Sequence, residues 1–233
     1  MKISKRLKQV DEMVEHGYDH IWDCCCDHGL LGAQLLSRHA GEHIHFVDIV
    51  PGLMEHVESN LNKYYAHSST PWSTHCVDVA ELPLEQHTGR HLIIIAGVGG
   101  DLTIEFVKAI SNKHPKESID FLLCPVHHHY RVRNQLRSIG FRTMKEALIE
   151  ENKRFYEIQL VSGSTRNNSF PLVSPVGIDI WKPPSKSQYE IARRYLTKTL
   201  SHYKRISKGD NEETQPIVDA YSSIEVQLPP TIS

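Results

Sequence analysis

Short apolar runs alternate with amphipathic segments between residues 20 and 139, and this alternation restricts the possible folds more than any other feature. The apolar runs predict strands, and the apolar residues between the runs recur at helical spacing. Near-continuous apolar strands that alternate with helices indicate a parallel sheet covered on both faces. The predicted strands are 20–24, 43–47, 72–77, 91–96 and 119–124, and the predicted helices are 29–37, 51–65, one that starts at 101, and 130–139.

The pattern changes after Gly140. Residues 141–149 and 154–161 are extended runs joined by polar residues 150–153, which predicts an antiparallel hairpin. Two further segments, 2–16 and 185–207, carry apolar stripes at helical spacing and predict helical extensions at both ends. The expected fold class is therefore α/β, with a parallel sheet and a C-terminal antiparallel hairpin. The predicted units are residues 1–163, 164–208 and 209–233.

Composition limits the class of protein. No apolar run has the about 20 residues that cross a bilayer, and no apolar signal segment is present, so we expect a cytoplasmic protein without a membrane partner. The five cysteines lack CxxC spacing, and the 16 histidines are scattered along the sequence. Adjacent side chains in the run His127–His129 point in different directions, so we expect no metal site. The last unit, 209–233, has five acids and no Lys or Arg and predicts a flexible acidic tail.

Polar residues and glycines follow four of the predicted strands. In a doubly wound sheet, ligands bind outside the carboxyl ends of the strands, so these residues are expected to meet. An acid after the second strand suits a ribose diol, an acid after the third suits an adenine amino group, and glycines let the backbone approach a ligand. Taken singly, such acids are often helix caps or turn residues, and His28 is as easily a packing residue. The set in strand order comprises Asp23, Asp27, His28, Gly29, Asp48, Asp78, Gly97, Gly99 and Gly100.

Four segments carry a family resemblance: DCCCDHGLLGAQLL, HFVDIVPGLMEHVESNL, IIIAGVGGDLTIEFV and FLLCPVHHHYRVRNQLRSIGFRTMKEALIEENKRFYEI. They resemble the bacterial tRNA (adenine(22)-N1)-methyltransferase family over about residues 3–162. The resemblance implies a Rossmann-like class I methyltransferase with S-adenosylmethionine as its cofactor. Carried over by position, the implied cofactor-binding residues are Asp23, Cys25, Asp27, His28, Gly29, Asp48, Ile49, Asp78, Val79, Ala96, Gly97, Gly99 and Gly100.

Two positions depart from the family pattern. The glycine of D-x-G is Cys25 here, and D-G-L after the third strand is Asp78-Val79-Ala80. Cysteine adds a side chain where backbone approaches the cofactor, so the site is expected to be intact but reshaped.

The resemblance implies transfer of a methyl group to N1 of an adenine in tRNA. The product base is cationic, so a nearby carboxylate favours the transition state, and Asp27 is the candidate catalytic residue. Three basic clusters offset the net charge of −2, and they are either solvated helix faces or a surface for a polyanion. On the second interpretation, the RNA-binding residues are Lys5, Arg6, Arg131, Arg133, Arg137, Arg193 and Arg194.

Several alternatives stay open. The chain could methylate another RNA or a small molecule, or it could bind a nucleoside without catalysis. A dehydrogenase is disfavoured because no G-x-G-x-x-G follows the first strand. We expect a monomer or a weak dimer, and the sequence does not identify the nucleotide that is modified.

Overall fold

A computed structural model describes residues 3–163, 169–207 and 211–229, with residues 211–213 described by their backbone alone. The expected alternation of strands and helices is confirmed. One sheet of seven strands has the order β3-β2-β1-β4-β5-β7-β6. The strands are β1 (His20–Cys24), β2 (His43–Asp48), β3 (Trp72–Cys76), β4 (Arg90–Ala96), β5 (Ser118–Cys124), β6 (Arg142–Glu151) and β7 (Arg154–Ser162). The helices are α1 (Lys5–Met13), α2 (Leu30–Ser37), α3 (Pro51–Tyr64), α4 (Gly100–Lys113), α5 (His129–Ser138), α6 (Lys186–Ile206) and α7 (Asn211–Ser222).

The strand order places a topological switch point between β1 and β4. The chain runs outward from β1 through β2 to β3 and then returns to pair β4 with the other edge of β1. All pairs from β3 to β5 are parallel, so the carboxyl ends of β1 and β4 lie side by side. In open α/β sheets, this is where ligands bind.

Alternate residues of the strands enter two cores, one on each face of the sheet. On β1, Ile21 belongs to the core under α1, α2 and α3, whereas Trp22 belongs to the core under α4 and α5. The first core includes Val10, Leu35, Phe46, Met54 and Leu92, and the second includes Ile93, Val107, Phe121, Val132 and Leu136. Burial on both faces explains why these strands are apolar at nearly every position.

The C-terminal hairpin is confirmed, with a shorter turn than expected. Glu151 pairs with Arg154, so the strands extend into the predicted turn and leave two residues between them. Asn152 and Lys153 have φ angles of 50° and 61°, which is the left-handed pair that a type I′ turn requires. The hairpin joins the sheet through the antiparallel pairing of β5 with β7.

The prediction of a flexible acidic tail is wrong for the described part of residues 211–229. Residues 211–222 form α7, and Tyr221 is 1% exposed in a third core between α6, α7 and β6. The prediction rested on the acidic composition of the segment and overlooked the apolar residues Ile217, Val218 and Tyr221, whose spacing fits one face of a helix. Residues 209, 210 and 230–233 of the predicted tail lie outside the described residues. None of the helices in the described ranges has the length and apolarity to cross a membrane.

Candidate functional site

A cavity of about 200 Å³ opens at the carboxyl ends of β1 and β4, where the switch point predicts a ligand. It gathers residues from the loop after β1, the loop after β4 and the first turn of α1. The lining residues are Arg6, Leu7, Asp23, Cys25, Cys26, Asp27, His28, Leu30, Leu31, Ala96, Gly97 and Val98. Six of the residues expected at the cofactor site therefore lie together: Asp23, Cys25, Asp27, His28, Ala96 and Gly97.

Asp23 fixes the loop that leads from β1 into α2. Its carboxylate accepts a 2.7 Å hydrogen bond from the N–H of Gly32, and its side chain is almost fully buried. Burial raises the pKa of Asp23 to about 7. Gly32 was missed at the sequence level, yet a Cβ at this position would lie 2.3 Å from the Phe46 ring. The close approach of α2 to β2 thus requires a glycine.

In the loop after β1, every second residue from Cys25 to Gly29 has a backbone conformation with positive φ. Cys25, Asp27 and Gly29 have φ angles of 55°, 51° and 68°. The position occupied by glycine in the resembling family therefore keeps a glycine-like backbone here, although its side chain is cysteine. Burial raises the pKa of the Cys25 thiol to about 12, and the neighbouring charges of Asp48, Asp23 and Asp78 add to the shift. Three acids therefore surround this thiol.

Asp48 connects the loops that follow β1 and β2. Its two carboxylate oxygens accept the backbone N–H groups of Asp27 at 3.2 Å and Val50 at 3.1 Å. The carboxylate of Asp27 itself is exposed and lies 3.5 Å from Nε2 of His28. Beside Asp48, the side chain of Ile49 is 62% exposed and offers an apolar surface outside the enclosed cavity.

The residues after β3 divide into an exposed acid and a core residue. Asp78 accepts a 2.8 Å hydrogen bond from the N–H of Ala80 and caps the short 3₁₀ turn Val79–Glu81. Val79 is 4% exposed in the second core, so its side chain faces away from any ligand. The expectation that Val79 binds cofactor can hold only through its backbone.

The glycines after β4 let two other residues, Arg6 and His127, pack closely against the backbone of this loop. A Cβ on Gly97, whose φ is 103°, would lie 2.9 Å from the Arg6 guanidinium, and one on Gly99 would lie 2.8 Å from the His127 ring. A Cβ on Gly100 would lie 2.7 Å from the carbonyl oxygen of His127. This loop therefore separates the cavity, which Gly97 lines, from the segment that follows β5.

Arg6 was expected to bind substrate, and the structure places it in the cavity instead. The Arg6 guanidinium lies near the Cys124 thiol. Its atom Nη1 is buried without a hydrogen-bond partner among the described residues. Its guanidinium also lies 5.5 Å from the centre of the Tyr156 ring. The first turn of α1 is held over the cavity by Glu151, whose carboxylate accepts the Lys5 N–H at 2.6 Å. A buried donor without a partner marks a place where an anionic group would be bound.

A second cleft, of about 390 Å³, was not predicted from the sequence. It lies between the segment after β5 and the helices α6 and α7, and it starts at the His127 ring that packs on Gly99. Aromatic rings and histidines dominate its walls. The lining residues are His127, His128, His129, Phe155, Tyr195, Lys198, Thr199, His202, Tyr203 and Tyr221.

The prediction that Arg133 binds RNA is wrong. Arg133 is 0% exposed, and it pairs with Glu146 at 2.5 Å and with Glu157 at 2.6 Å, so no phosphate reaches it. Arg137 is exposed at the far end of α5 from the cavity and donates to the carbonyl of Val173. Because Arg133 sits among basic neighbours in the sequence, its burial could not be read from the charge cluster.

The other candidate basic residues are on the surface. Arg131 pairs with Asp101 at 2.8 Å at the start of α5. Arg194 pairs with Glu150, and the Arg193 guanidinium lies over the Tyr189 ring on the exposed side of α6. Lys5, at the start of α1, has an exposed side chain.

Some of the histidines that are scattered along the sequence meet in the structure. His20, His43 and His45 come together at the opposite, amino-terminal edge of the sheet, with ligand atoms within 4.8 Å of one another. His43 and His45 lie two residues apart on β2, and the parallel register sets His20 of β1 beside them.

Comparisons with known proteins agree with this geometry. The family described as "Methyltransferase domain" matches residues 3–159. No curated protein matches the sequence. A Streptococcus pneumoniae protein, Sp1610, proposed to be a tRNA (m1A22) methyltransferase, has a TM-score of 0.72 at 20% identity, covering 95% of this chain and 97% of that chain.

Two further solved structures share the fold across nearly the whole chain. TrmK of M. capricolum, in complex with its cofactor product S-adenosylhomocysteine, has a TM-score of 0.70 at 17% identity and covers 95% of this chain and 97% of that one. The m1A22 tRNA methyltransferase TrmK of B. subtilis has a TM-score of 0.61 at 23% identity, with 95% and 94% covered. At these identities, the structural comparisons establish the fold alone.

Proposed function

Because the chain belongs to the methyltransferase domain family, we propose that it transfers a methyl group from S-adenosylmethionine to N1 of an adenine in tRNA. One observation carries the proposal. The cavity at the switch point holds the buried, unpartnered Nη1 of Arg6 together with the Asp23 carboxylate. A cation and an anion in one small cavity suit the carboxylate and ammonium groups of an amino acid, which S-adenosylmethionine carries at one end.

The remaining cofactor contacts follow the edge of the sheet outward from this cavity. The Asp48 carboxylate, fixed by two backbone N–H groups, would accept the hydroxyl groups of the ribose. The exposed Ile49 side chain would cover one face of the adenine, with Asp78 on the side of its amino group. Gly97 and the left-handed loop at Cys25 let the backbone approach the ligand closely.

Little acid–base chemistry is required of the protein. When bound, S-adenosylmethionine supplies an electrophilic methyl group. The lone pair on adenine N1 lies in the plane of the ring and is largely unprotonated at neutral pH, so it attacks directly. The base gains a positive charge during transfer, and the exposed Asp27 carboxylate at the cavity would stabilise that charge. Alignment of the two reactants supplies much of the remaining rate.

The aromatic cleft would receive the target base. N1 is on the Watson–Crick edge, so the adenine must be unpaired or extruded from its stack. The cleft of about 390 Å³ begins at His127, which packs on Gly99 in the loop beside the cofactor cavity, and the rings of Phe155 and Tyr203 in its wall can stack on a base. Lys198 lines the same cleft, and Arg193 is exposed one turn earlier on α6 to bind phosphates.

The choice of tRNA rests on the similar proteins. TrmK of B. subtilis, which shares the fold, is a tRNA (m1A22) methyltransferase, and the S. pneumoniae protein is proposed to be one. The M. capricolum protein is also a TrmK and binds S-adenosylhomocysteine. Methylation of another RNA or a small molecule is the competing function. We also propose that the protein works in the cytoplasm, where tRNA is modified, as a monomer or weak dimer.

Calorimetric titration with S-adenosylhomocysteine tests the cofactor half of the proposal. The wild type is expected to bind the product, and Asp48→Ala is expected to lose at least about tenfold in affinity because two ribose hydrogen bonds disappear. Asp219→Ala, which removes an exposed acid on α7, is the matched control and should bind like the wild type. Absence of binding by the wild type would refute the proposed cofactor.

Salt-dependent binding of tRNA tests the substrate half. Arg193→Gln should weaken binding and reduce the slope of log affinity against log salt by about 1, because one phosphate contact is lost. Lys116→Gln, which removes an exposed basic residue just before β5 at the amino-terminal edge of the sheet, is the control and should leave the slope unchanged. Equal effects of the two variants would contradict the placement of RNA over α6.

A further inference from the structure

Six histidines meet at the amino-terminal edge of the sheet, at the opposite end of the strands from the cofactor cavity. Parallel pairing sets His20 of β1 beside His43 of β2 and His91 of β4. Side chains two residues apart on a strand share a face, which adds His45 to the same side. His75 of β3 and His87, from the turn before β4, complete the cluster, with ring centres 5.2 Å and 4.7 Å from that of His45.

Most of the six have hydrogen-bond partners within the protein, including His43, whose Nε2 lies 2.9 Å from Oγ of Ser73. His91 accepts the indole N–H of Trp22 at 3.1 Å and donates its other ring N–H to the His87 carbonyl, so both of its nitrogens are used. His75 lies with Nε2 3.0 Å from Nδ1 of His45. If His45 donates this Nδ1–H, its Nε2 carries a lone pair that accepts a hydrogen bond from Nδ1 of His20, and a metal ion would replace that proton.

We propose that His20, His43 and His45 bind a divalent transition-metal ion of the zinc, nickel and copper class. One ring nitrogen from each of the three lies within 4.8 Å of the others. The distance from Nδ1 of His20 to Nε2 of His45 is 3.0 Å. Two nitrogen ligands at about 2.0–2.1 Å from a tetrahedral ion are about 3.4 Å apart, so this pair needs only a small movement.

The surroundings suit a metal ligand set that is partly fixed and partly adjustable. His45 is 0% exposed and stacks on Trp22 with ring centres 3.8 Å apart, so its orientation is held. His20 and His43 are half-buried at the starts of their strands. The His43 ring stacks on that of His45 with centres 4.2 Å apart, so it must turn to direct a nitrogen at an ion. His87, 4.8 Å from His20 between ring centres, or a water molecule would complete four ligands.

The chemistry of the ligands restricts the ion. Three imidazole nitrogens without a carboxylate favour zinc, nickel or copper and disfavour magnesium and calcium, which prefer oxygen. His75 would orient His45 from behind, as outer hydrogen-bond partners of metal-bound histidines do.

Such an ion would join β1 to β2 at the edge away from the cofactor. It would therefore stabilise the fold, and it is not expected to change the affinity for S-adenosylhomocysteine. The inference replaces the sequence-based expectation that no metal site is present, and it does not depend on the proposed methyl transfer.

Cobalt(II) absorption and zinc calorimetry on the tag-free full-length protein test this inference. The wild type should bind one zinc ion per chain and give the intense visible bands of a tetrahedral cobalt site with nitrogen ligands. His43→Gln should weaken zinc binding by at least about tenfold and remove the cobalt bands. His56→Gln, which removes an exposed histidine of α3, is the matched control and should behave like the wild type.

A second variant protects the test against loss of folding. His20→Gln changes a half-buried side chain at a strand end, and circular dichroism verifies that both variants fold. Equal zinc affinity in the wild type and in both folded variants would overturn the proposal and place ions elsewhere, for example at His127–His129. Failure of the wild type to bind zinc or cobalt would overturn it as well.

Discussion

At the scale of single residues, Arg133 shows that neighbours in space decide what a basic residue does. Its guanidinium bridges the carboxylates of Glu146 and Glu157, and all three side chains are 0% exposed. Glu146 in turn accepts the N–H groups of Ile178 and Asp179, which ties the segment before α6 to the sheet. Arg133 is therefore the centre of a buried ionic network that connects the methyltransferase domain to its C-terminal extension.

Removing the charge of Arg133 should be severely destabilising. Arg133→Met leaves two buried carboxylates without a cation, and we expect the free energy of unfolding to fall by about 3–5 kcal/mol. Urea denaturation measures this change. Arg131→Met, which removes an exposed ion pair two residues earlier, is the control and should cost about 1 kcal/mol or less. Similar losses in the two variants would contradict the structural role of Arg133.

The raised pKa of Asp23 predicts a pH dependence of cofactor binding. In the free protein, burial raises this pKa to about 7, so the carboxyl is half protonated near neutrality. The ionised form binds an ammonium group, and the affinity for S-adenosylhomocysteine should therefore rise about tenfold between pH 6 and pH 8. Calorimetry at the two pH values measures the change.

Two further measurements test whether Asp23 contacts the ammonium group of the ligand. Asp23→Asn should bind more weakly and with little pH dependence over the same range. In the free wild type, the raised pKa also means that the contribution of Asp23 to stability is full below its unfolded pKa and is lost as the pH rises through about 7. A pH-independent affinity in the wild type would contradict contact between Asp23 and the ammonium group.

Cys25 tests the departure from the family glycine. Its φ of 55° is unfavourable for a side chain with a Cβ, and β-branched residues tolerate this region least. Cys25→Val should lower the free energy of unfolding by about 1–2 kcal/mol and weaken S-adenosylhomocysteine binding, whereas Cys25→Gly should retain both. Thermal unfolding and calorimetry measure the pair. Stronger binding by the valine variant would show that Cys25 does not line the cofactor site.

At the scale of elements, apolar spacing predicted the helices and strands well because local pattern and tertiary burial agree in them. β1 begins and ends where the apolar run does, and α3 starts at Pro51 as expected. The sequence failed where composition replaced spacing as the criterion. The acidic composition of the last segment predicted disorder, but Val218 and Tyr221 are spaced so that both are buried on one side of α7.

The buried face of α7 should make a large contribution to stability. Tyr221 stacks on Tyr203 of α6 with ring centres 6.0 Å apart and is almost fully buried. Tyr221→Ala should lower the free energy of unfolding by about 3 kcal/mol because a large cavity remains. Leu228→Ala, at a position that is 77% exposed in the same C-terminal segment, should have almost no effect. Urea denaturation measures both variants. Equal stabilities would contradict the packing of α7 and indicate a flexible tail.

At the scale of the whole molecule, residues that line the cavity at the switch point were predictable because a doubly wound sheet places the carboxyl ends of its strands side by side. Asp23, Asp27 and Gly97 follow strands that any doubly wound sheet places side by side. The place of Arg6 could not be predicted, since it depends on how α1 packs across the cavity. The aromatic cleft and the histidine cluster combine distant segments through side-chain packing and strand register, which no local pattern encodes.

The central claim is methyl transfer to adenine N1 in tRNA. The most direct test incubates the purified protein with S-adenosylmethionine and unmodified tRNA, digests the RNA at neutral pH, and identifies the nucleosides by mass spectrometry. The proposed function predicts 1-methyladenosine, and Asp27→Asn should form it at least about tenfold more slowly because the carboxylate no longer stabilises the cationic base. Formation of 6-methyladenosine instead, or methyl transfer to no nucleoside of the tRNA, would contradict the account.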